Sequence, residues 1–130
     1  MTANANAPAD RGLWAERLAE AVLAATGYTC LDRRFRAPGG EIDLVARRGD
    51  VLVFVEVKGR RADGAGPPEC FVDRGKRRRV RRAAAAWLAG RAAACGLRHD
   101  APGQLRFDVV AIEHHGPGGG LDIRHLVDVF

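Results

Sequence analysis

Five consecutive apolar residues, Val51-Leu52-Val53-Phe54-Val55, leave this chain few ways to fold. A strand apolar on both faces is covered from both sides and lies at the centre of a sheet. The tight turn Arg48-Gly49-Asp50 joins it to a preceding strand, Gly40-Glu41-Ile42-Asp43-Leu44-Val45. Yet the buried strand runs on into Glu56-Val57-Lys58, and its partner carries Glu41 and Asp43. Ionised groups entering a sheet's interior are costly unless they are paired or bind a cation. That conflict marks the hairpin as the candidate site.

Side chains alternate faces along a strand, so Glu41 shares a face with Asp43, and Glu56 with Lys58. A two-residue turn at Gly49-Asp50 sets Arg48 opposite Val51, Asp43 opposite Glu56 and Glu41 opposite Lys58. Opposed Cβ atoms lie roughly 4.5–5.5 Å apart, close enough for two carboxylates to share a cation. A turn at Arg48-Gly49 shifts the partners but keeps all four groups on one face. A three-residue loop without a bulge separates the two pairs.

The 130 residues suit one domain with a real hydrophobic core. A formal charge of +5 favours a polyanionic partner. Cys30, Cys70 and Cys95 lack metal-ligand spacing and read as reduced thiols of a cytoplasmic protein. No apolar run reaches the ~18 residues of a membrane span, and no signal-peptide pattern opens the chain, so no membrane partner is expected. Residues 1–11 are expected to form a disordered tail and residues 12–130 the domain.

The spacing predicts a helix from Gly12 to Thr26, ended by Gly27, with Trp14, Leu18, Val22 and Ala25 along its apolar stripe. A strand is expected over Tyr28–Arg36, then the turn Pro38-Gly39-Gly40 and the hairpin. Gly59 to Pro68 reads as a mobile loop. Asp73 suits an N-cap for a helix running to about Cys95, with Val80, Ala84, Trp87 and Leu88 inward. Strands are expected over Leu105–Ile112 and Leu121–Leu126, after a loop at Gly96–Gly103 and a turn at Gly116–Gly120. The order predicts an α/β domain, a mixed central sheet of about five strands flanked by helices.

Asp43 and Glu56 suit a hard divalent cation, Mg²⁺ foremost with Mn²⁺ as substitute, whose other positions go to water and substrate phosphate. Lys58 is placed to orient that water and to hold negative charge. The plain alternative is a row of surface ion pairs, which contribute little. Glu41 is either a further ligand or the partner of Lys58. Glu16 and Glu20 read as helix-surface carboxylates. Asp108 either pairs with Arg106 or supports the metal site, and the structural pairing is the expected one.

Seven of the nine residues from Arg74 to Arg82 are cationic, among them Lys76, Arg77, Arg78 and Arg81. They open a helix, where cations oppose the helix dipole. The placement makes sense if the helix start and its arginines receive phosphate. Arg60 and Arg61 extend this surface towards Lys58. The alternative is a solvated basic face. Few aromatics accompany it, so contact with the backbone rather than the bases is expected. No Ser/His/Asp or Cys/His arrangement and no glycine-rich phosphate loop appears.

Gly12-x-x-x-Glu16-x-x-Ala19-x-x-x-Leu23-x-x-x-Gly27, Gly40-Glu41-Ile42-Asp43, Val53-Phe54-Val55-Glu56-Val57-Lys58, Lys76 and Arg106-Phe107-Asp108-Val109-Val110 occur in the order that resembles the YraN-like bacterial family. The likeness spans roughly Gly12 to Phe130. That family is similar to the PD-(D/E)xK superfamily of restriction-endonuclease-like folds, which includes archaeal Holliday-junction resolvases. The resemblance implies that fold, metal ligation by Asp43 and Glu56, a catalytic Lys58, and Lys76 near substrate. It brings Glu16 into the active site. Two departures stand out: Ile42 replaces the superfamily's proline before Asp43, and Ala15 precedes Glu16 where relatives often carry glycine.

The expectation is therefore a Mg²⁺-dependent nuclease acting on phosphodiester bonds, DNA rather than RNA, on branched or structured substrates. Asp43 and Glu56 would hold the metal with the Val57 carbonyl, Lys58 would position water, and Glu16 would complete the site or support a second cation. Cleaving a symmetric junction calls for two sites, hence a homodimer. The rivals are a non-catalytic nucleic-acid-binding module built on helix 74–82 and a protein that docks an acidic partner.

Overall fold

Gly27 stops the first helix with two backbone hydrogen bonds. It adopts φ 94°, its N–H donates to the Ala24 carbonyl at 3.2 Å, and the Tyr28 N–H reaches the Leu23 carbonyl at 3.0 Å. This is a Schellman cap, and Tyr28 then buries its ring beneath the helix it ends. The computed structural model describes residues 8–61, 74–97 and 103–129. Its elements are α1 (Pro8–Ala25), β1 (Thr29–Ala37), β2 (Gly40–Arg48), β3 (Val51–Arg61), α2 (Arg74–Gly90), β4 (Gln104–His114) and β5 (Leu121–Leu126).

The five strands form one mixed sheet in the order β1-β2-β3-β4-β5. Only β3 and β4 run parallel, and α2 lies in the crossover between them. This is a mixed α/β single domain consistent with a restriction-endonuclease-like fold. β3 is the middle strand, and Leu52 to Val55 are at most 1% exposed. Val53 and Val55 pack with Ala15, Ala19 and Leu23 of α1. Leu52 and Phe54 pack on the other face with Val80, Ala83, Ala84 and Trp87 of α2. A two-sided core of this kind is what an apolar run in a central strand requires.

Four sequence expectations need correction. α1 starts at Pro8, ahead of Gly12, and proline is well suited to a helix's first turn. Its buried stripe is Ala15, Ala19 and Leu23, while Trp14 is 45% exposed and Ala25 is exposed. Small residues are needed there because α1 lies close to β3: a Cβ on Gly59 would sit 2.9 Å from that of Ala15. β3 continues through Gly59 to Arg61, each paired with β4, where a loop was expected. α2 ends at Gly90 rather than near Cys95, since glycine is a poor helix former. Beyond it, Arg91 turns to Asp32 at 3.2 Å.

The rest of the expected 59–68 loop, Cys70 and the Asp73 cap lie outside the described residues, as does most of the proposed tail. Among the described residues no helix is long and apolar enough to cross a membrane.

Candidate functional site

Gly49, at φ 59°, closes the two-residue turn, and Arg48 faces Val51 as its spacing demands. Pairing continues to Leu44 opposite Val55 and stops one step before Asp43 and Glu56. The other ladder skips the same place, passing from Arg33–Leu44 to Phe35–Ile42. Arg34 there takes φ 51°, a left-handed conformation that a bulky residue holds only under constraint. Ile42 and Leu44, two residues apart, consequently join opposite cores. The sheet opens around Asp43.

The Val57 N–H donates to Asp43 Oδ2 at 2.7 Å. Burial, then the nearby charge of Glu56, push the Asp43 carboxyl up to about 7, against the hydrogen bond from Val57. Glu16 and Glu41 add smaller repulsions in the same direction.

Glu56 points from β3 toward α2 and is met by two lysines. Lys76 Nζ lies 2.6 Å from Glu56 Oε1 and Lys58 Nζ 3.2 Å from the same oxygen. Lys76 projects from the first turn of α2, one turn before the buried Val80, so the helix's inward face carries it to the strand. Burial disfavours both ammoniums. For Lys76, burial and the adjacent Lys58 outweigh Glu56, and its pKa is lowered. For Lys58, burial is opposed by the charge of Glu56 and the contact with it, and its pKa is raised.

These groups line a cleft of about 490 Å³ with Arg36, Glu41 and Arg79. Four cations face two carboxylates around it, so the cleft suits an anion. Gly40 holds the hairpin against α2. A Cβ at this position would fall 2.2 Å from the Arg79 carbonyl oxygen, so no larger residue permits the approach.

Asp43, Glu56, Lys58 and Lys76 therefore come together. Glu41 does not reach Lys58: its β1 register partner is Arg36, whose Nε lies 3.6 Å from its carboxylate. Lys58 turns instead to Glu56, two residues back on its own strand. Glu16 bonds Arg34 at 2.6 Å and acts on Asp43 only electrostatically. Arg60 pairs with Glu113 at 2.7 Å across the parallel ladder, whereas Arg61, Arg77, Arg78 and Arg81 are exposed. Arg81 lies over the Phe107 ring at 5.0 Å. The Arg74 side chain lies outside the described residues. Arg79, part of the basic run, lines the cleft, and Arg36 was missed. Arg36 had one signal, its place two residues before the Pro38-Gly39 turn that folds β1 onto β2.

Asp108 pairs with Arg106 as expected, its oxygens 2.8 Å and 2.9 Å from the guanidinium. It also binds His125 Nε2 at 2.6 Å and the Asp128 N–H at 2.9 Å. Asp108 is fully buried, and together these bonds fasten β5 to β4.

The fit to a divalent ion rests on Asp43 and Glu56. Among the described residues no three His, Cys, Asp or Glu side chains are grouped for a metal. Two carboxylates are enough for Mg²⁺ where water and phosphate supply the remaining oxygens.

Residues 15–112 match the model of the uncharacterised protein family UPF0102. A UPF0102 protein of Halorhodospira halophila is 48% identical over 110 residues, covering 85% of this chain and 83% of its own. One from Geotalea uraniireducens is 41% identical over 118 residues, covering 88% and 84%. A third, from Geobacter sulfurreducens, is 42% identical over 119 residues, covering 92% and 87%.

Proposed function

The chain belongs to the uncharacterised protein family UPF0102, and we propose that it is a Mg²⁺-dependent nuclease of PD-(D/E)xK type, akin to the YraN-like proteins, that hydrolyses phosphodiester bonds in branched or structured DNA. The observation that carries this reading is the convergence of Asp43, Glu56 and Lys58 where the sheet opens, beside a cationic cleft.

Asp43 and Glu56 would hold the ion, with the Val57 carbonyl as a further oxygen donor. The Val57 N–H fixes one Asp43 oxygen, so that carboxylate is oriented before any ligand arrives. When bound, Mg²⁺ stabilises charge on a phosphate and lowers the pKa of a water ligand. Lys58, 33% exposed at the cleft, orients the attacking water and offsets charge on the phosphate oxygens. Arg36 and Arg79 hold the strand by its phosphates, and the exposed Arg77 and Arg78 extend that grip. Hydrolysis leaves a 5′-phosphate and a 3′-hydroxyl. A junction cut on both strands calls for a homodimer.

The test is cleavage of flaps, forks and four-way junctions with Mg²⁺ or Mn²⁺. Activity should require the metal and vanish in Asp43→Asn and Glu56→Gln. No cleavage, together with no metal uptake in the presence of oligonucleotide, would remove this reading. One observation favours a second: both lysines already satisfy Glu56, as a non-catalytic nucleic-acid-binding module would have it. In that case binding is unchanged by chelator and by Glu56→Gln.

A further inference from the structure

Lys58 and Lys76 reach Glu56 by different routes. Lys58 stands two residues further along the same strand, so any Glu-x-Lys strand can make its contact. Lys76 comes from another element and lies nearer, 2.6 Å against 3.2 Å, on the same carboxylate oxygen. It is also the more covered, 16% exposed against 33%. With Arg36 and Arg79 lining the same cleft, Glu56 sits in a field with positive charge in excess.

We infer that Lys76 is a phosphate-operated lock on Glu56: it closes the carboxylate to divalent cations until a nucleic-acid phosphate enters the cleft and draws its ammonium away. This rests on Asp43 and Glu56 forming a metal site. Two ammoniums on one carboxylate repel an arriving cation and occupy the oxygen it needs. A phosphodiester changes both terms at once. It brings a negative charge of its own, and by taking Lys76 it removes a positive charge from Glu56. Lys76 opens α2, where the first-turn amides also favour an anion. The exchange needs only side-chain rotation, because Gly40 seats against the Arg79 carbonyl and Val80 is buried, which pins the helix backbone one turn beyond the lysine. Metal uptake is thereby ordered behind substrate, and the site is charged only where there is a bond to cut.

The experiment measures Mn²⁺ affinity of the full chain by calorimetry, with and without a short single-stranded DNA oligonucleotide. Uptake by the DNA itself is subtracted using Glu56→Gln. For the wild type the oligonucleotide should tighten Mn²⁺ binding roughly tenfold, a usual coupling between two ligands. Lys76→Met and Lys76→Gln should bind Mn²⁺ tightly with no DNA and gain no more than about twofold on its addition. Using both variants separates loss of charge from loss of fold, since Gln keeps a polar group at the half-buried position. If neither variant binds Mn²⁺ more tightly than wild type without DNA, the lock is refuted while a metal site seen in wild type stands. If no protein takes up Mn²⁺ under any condition, the nuclease reading falls and the lock falls with it.

Discussion

The main-chain N–H of Val57 donates to the Asp43 carboxylate at 2.7 Å, at the point where β2 and β3 cease to pair. That bond favours the ionised acid, yet burial and Glu56 prevail and raise its pKa from 3.8 to about 7. Between those values the folded protein holds a proton that the unfolded chain has released. Stability from this group is therefore complete below about pH 4 and is lost as pH rises to about 7. At about 1.4 kcal/mol per pKa unit, the loss has a ceiling of roughly 4 kcal/mol. Thermal melts in chelator should show Tm falling across that window in the wild type, with the Asp43 part of the fall absent in Asp43→Asn. Parallel profiles for the two proteins would mean that Asp43 ionises normally.

Gly40 carries a second prediction. An added methyl would meet the Arg79 carbonyl oxygen at 2.2 Å and its carbon at 2.9 Å, and neither atom can swing aside. Gly40→Ala should cost about 1–3 kcal/mol, the usual range for overpacking. Gly90→Ala is the matched contrast, because nothing lies within 4 Å and the residue is the last of α2. It should stabilise by up to about 1 kcal/mol. Denaturant midpoints decide both, and an unchanged midpoint for Gly40→Ala would mean that α2 is not seated on β2 in this way.

The parts legible in the sequence are those decided by local chemistry. The apolar run of β3 demands cover on both faces, and Gly49 marks where the chain turns, whereas the choice among the possible turns, and with it the hairpin register, comes only from the structure. The parts that were not legible depend on partners distant in the chain. Trp14 and Val22 carry more apolar surface than alanine, but the close approach of α1 to Gly59 selects Ala15 and Ala19. The left-handed Arg34 has no sequence signature, and the opening of the sheet at Asp43 goes with it. Glu41 is claimed by β1, which a reading of one hairpin leaves out. Lys76 reaches Glu56 only because the crossover helix α2 seats against β2 beside it.

Asp108 is a buried carboxylate held by Arg106, His125 and the Asp128 amide. Burial acts against its charge, but the hydrogen bonds from His125 and Arg106 prevail and its pKa is lowered. Its contribution to stability is present above the ordinary value of 3.8 and is lost as pH falls through the folded value. Asp108→Ala leaves Arg106 buried without its carboxylate and should cost about 3–5 kcal/mol. Arg106→Met with Asp108→Leu should recover part of that loss, since no uncompensated charge remains. Urea denaturation of the two variants measures the difference. Equal losses would show that His125 and Tyr28, rather than the ion pair, set the stability of this region.

Arg77 and Arg78 follow Lys76 on the exposed side of α2, where they are free to meet a phosphate backbone without disturbing the core. Each phosphate contact with duplex DNA contributes about 0.9 to the slope of log affinity against log salt. Arg77→Ala with Arg78→Ala should therefore lower that slope by about 1.8 and weaken binding of unrelated sequences alike. The melting temperature should scarcely move, because surface substitutions of this kind usually change stability by less than about 0.5 kcal/mol. Fluorescence anisotropy over a salt series reads the slope directly. An unchanged slope would remove Arg77 and Arg78 from the nucleic-acid interface and leave the cleft arginines, Arg36 and Arg79, as its phosphate contacts.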